Sequence, residues 1–268
     1  MITSMGSAQV RRVIQLEKKS KIRRECGLFV VEGVKMVTEA PSDRVEKLYM
    51  SEQFARENPD FADRLKINAE SAEIVSGAVF DRMSDTQTPQ GVMALVKMKE
   101  YSLDDILTMK QQAGYERRPL IIGIENLQDP GNLGTIVRMA EGAGATGVVI
   151  SSNSVDIYNP KTIRSTMGSV YRVPFAYVND LAEAVQTMKA AGVNVYAAHL
   201  DGKLLYTEPD YTEASAFLIG NEGNGLTEKT CAAASRLIKI PMEGNVESLN
   251  AAVACTVLTY EAMRQRRY

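Results

Sequence analysis

The sequence predicts an α/β protein: a parallel sheet with helices on both faces, preceded by a smaller α/β domain. Three observations predict it. From Leu120 onward, short apolar runs alternate with helix-length amphipathic segments, the pattern of strand–helix units in a parallel sheet. Three glycine- and asparagine-rich turns each follow a predicted strand, where open parallel sheets bind ligands. The first hundred residues carry their own shorter set of strands and helices and run out into a polar stretch. The expected organisation is a domain over 1–99, a linker over 100–118 and a larger domain over 119–268.

In the first domain, residues 1–25 read as a basic helix with Val13, Ile14 and Leu16 as its apolar contribution. Leu28–Val31 follows as a strand, Gly33–Glu39 as a short helix and Val45–Met50 as a second strand. Phe54–Leu65 and Ala72–Met83 carry helical spacing. Thr88-Pro89-Gln90-Gly91 is a turn into a third strand, Val92–Val96. Tyr101–Met109 reads as a short helix, and Gln111–Pro119, with Gly114 and two arginines before a proline, as the domain boundary. In the second domain the predicted strands are Leu120–Glu125, Gly147–Ile150, Val173–Tyr177, Val193–Ala198, Ala216–Gly220 and Leu237–Ile240. The predicted helices are Leu133–Ala143, Pro160–Met167, Leu181–Ala191, Thr227–Ala234 and Leu249–Arg266.

Composition bounds the function classes. With 45% hydrophobic and 24% charged residues the chain is globular. No run of 18 apolar residues predicts a membrane helix, and Met1–Val10 lacks the apolar core of a signal peptide, so the expectation is cytoplasmic. Cys26, Cys231 and Cys255 are odd in number and lack metal-ligand spacing, which predicts reduced, mostly buried thiols. The single histidine, His199, cannot build a histidine metal site and reads as a structural residue in or beside a strand; no metal is expected. A net charge of −2 conceals a basic N-terminus. Arg11, Arg12, Lys18, Lys19, Lys21, Arg23 and Arg24, seven positive charges, less Glu17 and Glu25, leave +5 over residues 1–25. That stripe suits nucleic-acid phosphates and equally suits a solvated helix face.

The three turns are Asn126–Gly134, Gly220–Leu226 and Ile240–Asn250. Asn132 sits at a helix start that favours an anion, and Arg138 lies nearly two turns into the same helix. Arg138 reads either as a phosphate-binding fork or as a side chain that snorkels or pairs with Glu141. Glu222, the only charge in the second turn, reads as a ligand anchor, a partner of Arg138 or an exposed carboxylate. Ser248 has the chemistry of an N-cap for the last helix, with Asn250 in its first turn. Neither G-x-G-x-x-G nor a Walker sequence is present, and one histidine leaves no Ser-His-Asp set. A nucleotide-cofactor oxidoreductase therefore ranks low.

Taken together, Asn132-Leu133-Gly134-Thr135-Ile136-Val137-Arg138-Met139-Ala140, Ile219–Leu226 and Ile240-Pro241-Met242 through Ser248-Leu249-Asn250 resemble the three motifs of the SpoU/TrmH family. These are RNA 2′-O-ribose methyltransferases of the SPOUT superfamily. The N-terminal part, with Gly27–Gly33 and Thr86–Gly91, looks like the L30e-like RNA substrate-binding domain of the ribosomal RNA branch. The resemblance implies a C-terminal trefoil knot, S-adenosylmethionine as methyl donor and a homodimer. It implies methylation of RNA, 23S ribosomal RNA in the first instance, with transfer RNA or an inactive RNA-binding scaffold as alternatives. By motif match, Asn132, Arg138, Glu222, Ser248 and Asn250 form the catalytic set. Ile219, Gly220, Gly223, Ile240, Met242, Ser248 and Leu249 are the expected cofactor contacts.

Overall fold

The computed structural model describes residues 1–108 and 118–267. Up to Lys99 the chain forms α1 (Ala8–Lys18), α2 (Ser20–Cys26), β1 (Leu28–Glu32), α3 (Val34–Glu39), β2 (Val45–Ser51), α4 (Glu52–Glu57), α5 (Phe61–Arg64), β3 (Ala72–Val75), α6 (Gly77–Met83) and β4 (Val92–Lys97). There follow α7 (Leu103–Thr108), β5 (Leu120–Ile124), α8 (Pro130–Ala143), β6 (Gly147–Ser151), α9 (Pro160–Thr166), β7 (Phe175–Val178) and α10 (Leu181–Ala190). The chain ends with β8 (Asn194–Ala198), β9 (Leu204–Leu205), β10 (Ser215–Ile219), α11 (Glu228–Ala233), β11 (Arg236–Lys239) and α12 (Ala251–Arg267). Most of the expected boundary over 111–119, and the last residue of the helix expected over 101–109, lie outside the described residues. No helix among the described residues is long and apolar enough to cross a membrane.

Two compact units result: Met1–Lys99 with Asp156–Tyr171, and Glu100–Val155 with Arg172–Tyr268. The first unit thus takes a segment from the second half of the sequence, α9 included, which no local pattern signals. That segment is tied to β1 and its surroundings: Tyr158 stacks on Phe29 at 4.5 Å, and the Tyr171 hydroxyl donates to the Met36 carbonyl at 3.0 Å.

The first unit is built on a four-stranded sheet of order β1-β4-β2-β3, antiparallel except for the β2–β3 pair. Three expectations are corrected here. The helix expected over 72–83 begins only at Gly77, because Ala72–Val75 runs parallel to β2 as β3; the β-branched pair Ile74-Val75 suits a strand. The helix expected over 54–65 divides into α4 and α5 at Asn58-Pro59, where proline supplies no N–H and keeps its predecessor out of helical geometry. The basic N-terminal helix breaks at Lys19, whose backbone is extended (φ −125°, ψ 107°). The break frees carbonyls in the last turn of α1, and Arg23 satisfies two of them, Leu16 at 2.7 Å and Glu17 at 3.0 Å.

The second unit is a seven-stranded parallel sheet of order β7-β6-β5-β10-β8-β11-β9. Its central strands β5, β6 and β10 are buried along their whole length, which is why they read as unbroken apolar runs. The observed strand limits fall within two residues of those predicted, and the two-residue edge strand β9 was not predicted. Strand order is not chain order: β10 inserts between β5 and β8. In the β5–β10 pair Ile124 lies opposite Ile219, so the two strands end level. The first and second turns therefore leave the sheet side by side. After β11 the chain returns across the sheet, and α12 packs on α8 and β10.

Candidate active site

The first turn is set by its own residues. Asp129 caps α8 by accepting from Asn132 N at 2.8 Å, and Pro130 occupies the first helical position, where its missing N–H costs nothing. Asn126 takes a left-handed conformation (φ 55°), and its N–H donates to the Ser151 hydroxyl at 2.8 Å. The second turn closes on itself. Asn221 and Gly225 exchange backbone bonds of 3.0 and 2.9 Å, and Asn221 Oδ1 accepts from Gly223 N and Asn224 N. A Cβ on Gly220 would lie 2.0 Å from the carbonyl carbon of Gly225, so only glycine fits there.

Five side-chain bonds then tie the turns together. Asn221 Nδ2 donates to the Asn126 carbonyl at 2.8 Å. The Glu222 carboxylate accepts from Gln128 N at 3.1 Å, Asp129 N at 3.0 Å and Asn132 Nδ2 at 3.1 Å. From the third turn, Asn250 Nδ2 donates to Asn132 Oδ1 at 3.0 Å. A continuous chain Glu222–Asn132–Asn250 thus joins the three motifs. Partial burial alone would raise the Glu222 carboxyl; the bonds from Asp129, Asn132 and Gln128 outweigh it and hold the group below its ordinary value.

Other expected residues are placed differently. Asn250, not Ser248, caps α12: its Oδ1 accepts from Ala252 N at 2.9 Å and Val253 N at 3.3 Å, so the helix starts at Ala251 rather than at Leu249. Ser248 is exposed and makes no side-chain hydrogen bond among the described residues. Glu222 does not partner Arg138. Arg138 is exposed, six residues beyond Asn132 on α8, hence about 9 Å along the axis and a third of a turn around it. Nor does it pair with Glu141, whose carboxylate receives Arg172 at 2.5 and 3.1 Å. Arg138 has no ion pair or hydrogen bond among the described residues.

Of the expected cofactor contacts, Ile219 is buried in the ladder with its carbonyl already accepting from Glu125 N. The Gly223 N–H is also committed inside its turn. Ile240, Met242 and Leu249 are half-buried. Across 240–249 no backbone hydrogen bond is made among the described residues, so these N–H and C=O groups remain available to a ligand. Sequence reasoning did not single out Glu125, Asn126, Gln128 or Asn221, all short polar links between turns. It also passed over the loop after β8, where Leu200 is 62% exposed and a Cβ on Gly202 would lie 2.6 Å from the carbonyl carbon of Ile238. Glycine at the close approach was the available signal. His199 sits just past β8, its Nδ1 accepting from Asp201 N. Of the thiols only Cys255 is buried, Cys26 being exposed and Cys231 intermediate. A cleft of about 450 Å³ lined by Arg118, Leu120 and Arg266 lies at the start of β5, the opposite end from the three turns.

On the first unit, Arg23 is 3% exposed and donates to Asp156 Oδ2 at 2.6 and 3.0 Å besides the two α1 carbonyls. This corrects its reading as an RNA contact: it is an internal latch. Arg12 pairs with Glu46 at 2.9 Å and Lys21 with Glu25 at 3.8 Å. Arg11, Lys18, Lys19 and Arg24 are exposed and unpaired among the described residues. Burial, then the charges of Asp85 and Glu32, push the Glu17 carboxyl up to about 8. At pH 7 it is mostly protonated, which offsets the loss of Arg23 from the exposed stripe.

A family model described as the SpoU rRNA methylase family matches residues 119–260, and one described as an MRM3-like substrate binding domain matches residues 7–94. The chain is 32% identical over 260 residues to the 23S rRNA (guanosine(2553)-2′-O)-methyltransferase RlmP of Bacillus subtilis, covering 97% of each. It superposes on an AdoMet-bound rRNA methyltransferase of Sinorhizobium meliloti with a TM-score of 0.83 and 30% identity, covering 98% and 97% of the two chains. The SpoU methyltransferase AviRb of Streptomyces viridochromogenes, solved with the cofactor AdoMet, gives a TM-score of 0.81 at 28% identity, covering 97% of this chain and 98% of that one.

Proposed function

The chain belongs to the SpoU rRNA methylase family and is an S-adenosylmethionine-dependent RNA 2′-O-methyltransferase; we propose that its substrate is 23S ribosomal RNA and that Asn132, Arg138, Glu222, Ser248 and Asn250 serve the transfer. The observation that carries the site reading is the chain Glu222–Asn132–Asn250, which holds three separate turns at one place. The 240–249 segment fits the methyl donor: its backbone groups are uncommitted and Met242 and Leu249 add apolar surface. Gly220, Ile240, Met242 and Leu249 would hold it, with Ile219 and Gly223 shaping the strand end and turn behind.

When bound, S-adenosylmethionine supplies a methyl already activated by its sulfonium. The protein's task is then to align a ribose hydroxyl and let its proton leave. Alignment alone is worth about 7–11 kcal/mol in favourable cases. Asn132 keeps one amide hydrogen and one lone pair after serving Glu222 and Asn250, enough to orient a hydroxyl. The Ser248 hydroxyl is uncommitted and orients it from the third turn. Glu222 is ionised and occupied by three donors, so it positions the first turn rather than acting as base. Arg138 presents its fork to the phosphate beside the target ribose, while water or that phosphate takes the hydroxyl proton.

In the same proposal the exposed Arg11, Lys18, Lys19 and Arg24 bind RNA phosphates. The return of 240–250 from β11 to α8 supports a threaded C-terminus, and the exposed Val253 and Tyr260 on α12 support a homodimer, testable by light scattering. Incubating the protein with labelled S-adenosylmethionine and total cellular RNA, then mapping the modified ribose, tests the substrate. Label confined to transfer RNA would overturn the ribosomal assignment. Arg138→Lys keeps the charge and loses the fork; near-normal transfer by it would overturn the clamp.

A further inference from the structure

We propose that Glu125 is a positioning residue for the methyl donor, a buried carboxylate that pins the far end of the 219–226 turn to the end of β5. The inference rests on reading that turn as part of the donor's site. Glu125 is 6% exposed. Its Oε2 accepts from Thr227 N at 2.7 Å, and its Oε1 accepts from Thr227 Oγ1 at 3.0 Å and Thr230 Oγ1 at 2.5 Å. Thr227 is also the cap of α11, so one carboxylate organises both the end of the turn and the start of the helix behind it. Through its backbone N–H, Glu125 also holds the Ile219 carbonyl at the near end. Both ends of the turn are therefore fastened to a single residue.

Burying a carboxylate is costly unless donors replace its water. Here three donors do so, and all three come from the element that follows the turn. The arrangement is the counterpart of Glu222: that residue reaches from the second turn to grip the first, whereas Glu125 reaches from the first to grip the second. With both in place the turns cannot drift apart, and Gly220 and Leu226 are held where the self-closed turn requires. Glu125 does not touch reacting groups; its effect passes through the turn.

The test compares Glu125→Gln, Glu125→Ala and Thr230→Val with the parent protein. Four quantities are read: S-adenosylmethionine affinity by calorimetry, RNA affinity by filter binding, amide exchange across 220–226, and KM against kcat in methyl transfer. Glu125→Gln keeps the shape and one acceptor for Thr227 N, so it should weaken donor binding less than Glu125→Ala. Glu125→Ala should weaken it about tenfold or more, as loss of a charge-assisted bond implies. Thr230→Val removes the shortest bond at nearly constant volume, and its effect should be non-additive with that of Glu125→Gln. The expected signature is a raised KM for the donor and faster exchange in the turn, with a much smaller fall in kcat at saturating donor. If Glu125→Ala does not fold, the two near-isosteric variants decide. Unchanged donor affinity and exchange in both would overturn the inference, as would a parallel fall of donor affinity, RNA affinity and kcat. A parent protein that fails to bind S-adenosylmethionine would instead sink the reading of the site itself.

Discussion

Replacing Glu222 by Gln keeps the side chain's volume and removes its charge and one acceptor. The carboxylate serves three donors: Oε1 takes Asp129 N and Asn132 Nδ2, and Oε2 takes Gln128 N. A Gln amide retains most by placing its oxygen at the first position. Its NH₂ then confronts the Gln128 N–H, which cannot become an acceptor. A hydrogen bond to a charged group contributes about 1.5–3 kcal/mol, and water at this exposed position replaces part of it, so the loss is about 1–2 kcal/mol. That corresponds to a five- to thirtyfold fall in kcat, roughly, with the global fold intact. Were Glu222 a general base, the loss would be about 10²- to 10⁴-fold. Its depressed carboxyl pKa also sets the pH behaviour. The stabilising bonds are complete above the unfolded carboxylate value and are lost as pH falls through the lower folded value, so no acid limb near neutrality should come from this group. The assay is kcat at saturating RNA and donor from pH 5 to 9, with a double-mutant cycle against Asn132→Ala. Wild-type rates, a thousandfold loss, or no coupling to Asn132 would each refute the reasoning.

Other variants separate structure from binding. Arg23→Ala strands the Asp156 carboxylate and two α1 carbonyls and should cost about 3 kcal/mol in thermal or denaturant unfolding. Lys19→Ala should leave stability unchanged but reduce the salt dependence of RNA binding by about one phosphate contact in a filter-binding titration. Glu17→Gln should stabilise the protein at pH 8 and change little at pH 4. The raised carboxyl leaves the wild type at full stability below the unfolded value and loses it toward about 8, by up to about 1.4 kcal/mol per pH unit; parallel melting curves across that window would refute it. Gly220→Ala places a carbon 2.0 Å from the Gly225 backbone and should abolish S-adenosylmethionine binding in calorimetry.

Much of the second unit was readable because its signals are local. Continuous apolar strands announced the parallel sheet, and Gly, Pro and Asn marked the turns at the right ends. Even the true start of α8 was available in Asp129-Pro130, a cap followed by proline at the first helical position. In the first unit the same reasoning misread 72–83, where helical spacing and β-branched residues point opposite ways and the pairing of β3 with β2 settled the matter. Arg23 could not be distinguished from its basic neighbours, because its partner Asp156 is 133 residues away.

The sequence by itself determined which residue types end each strand, and with them the family and the chemistry. Local backbone preference and hydrophobic period act over a few residues, so they are legible without a fold. Only the tertiary structure decided which turns meet. Insertion of β10 beside β5 set Glu222 against the first turn, and the return to α12 made Asn250 a cap that reaches Asn132 across 118 residues of sequence. Those contacts depend on strand order and long-range packing, which no short window of sequence encodes.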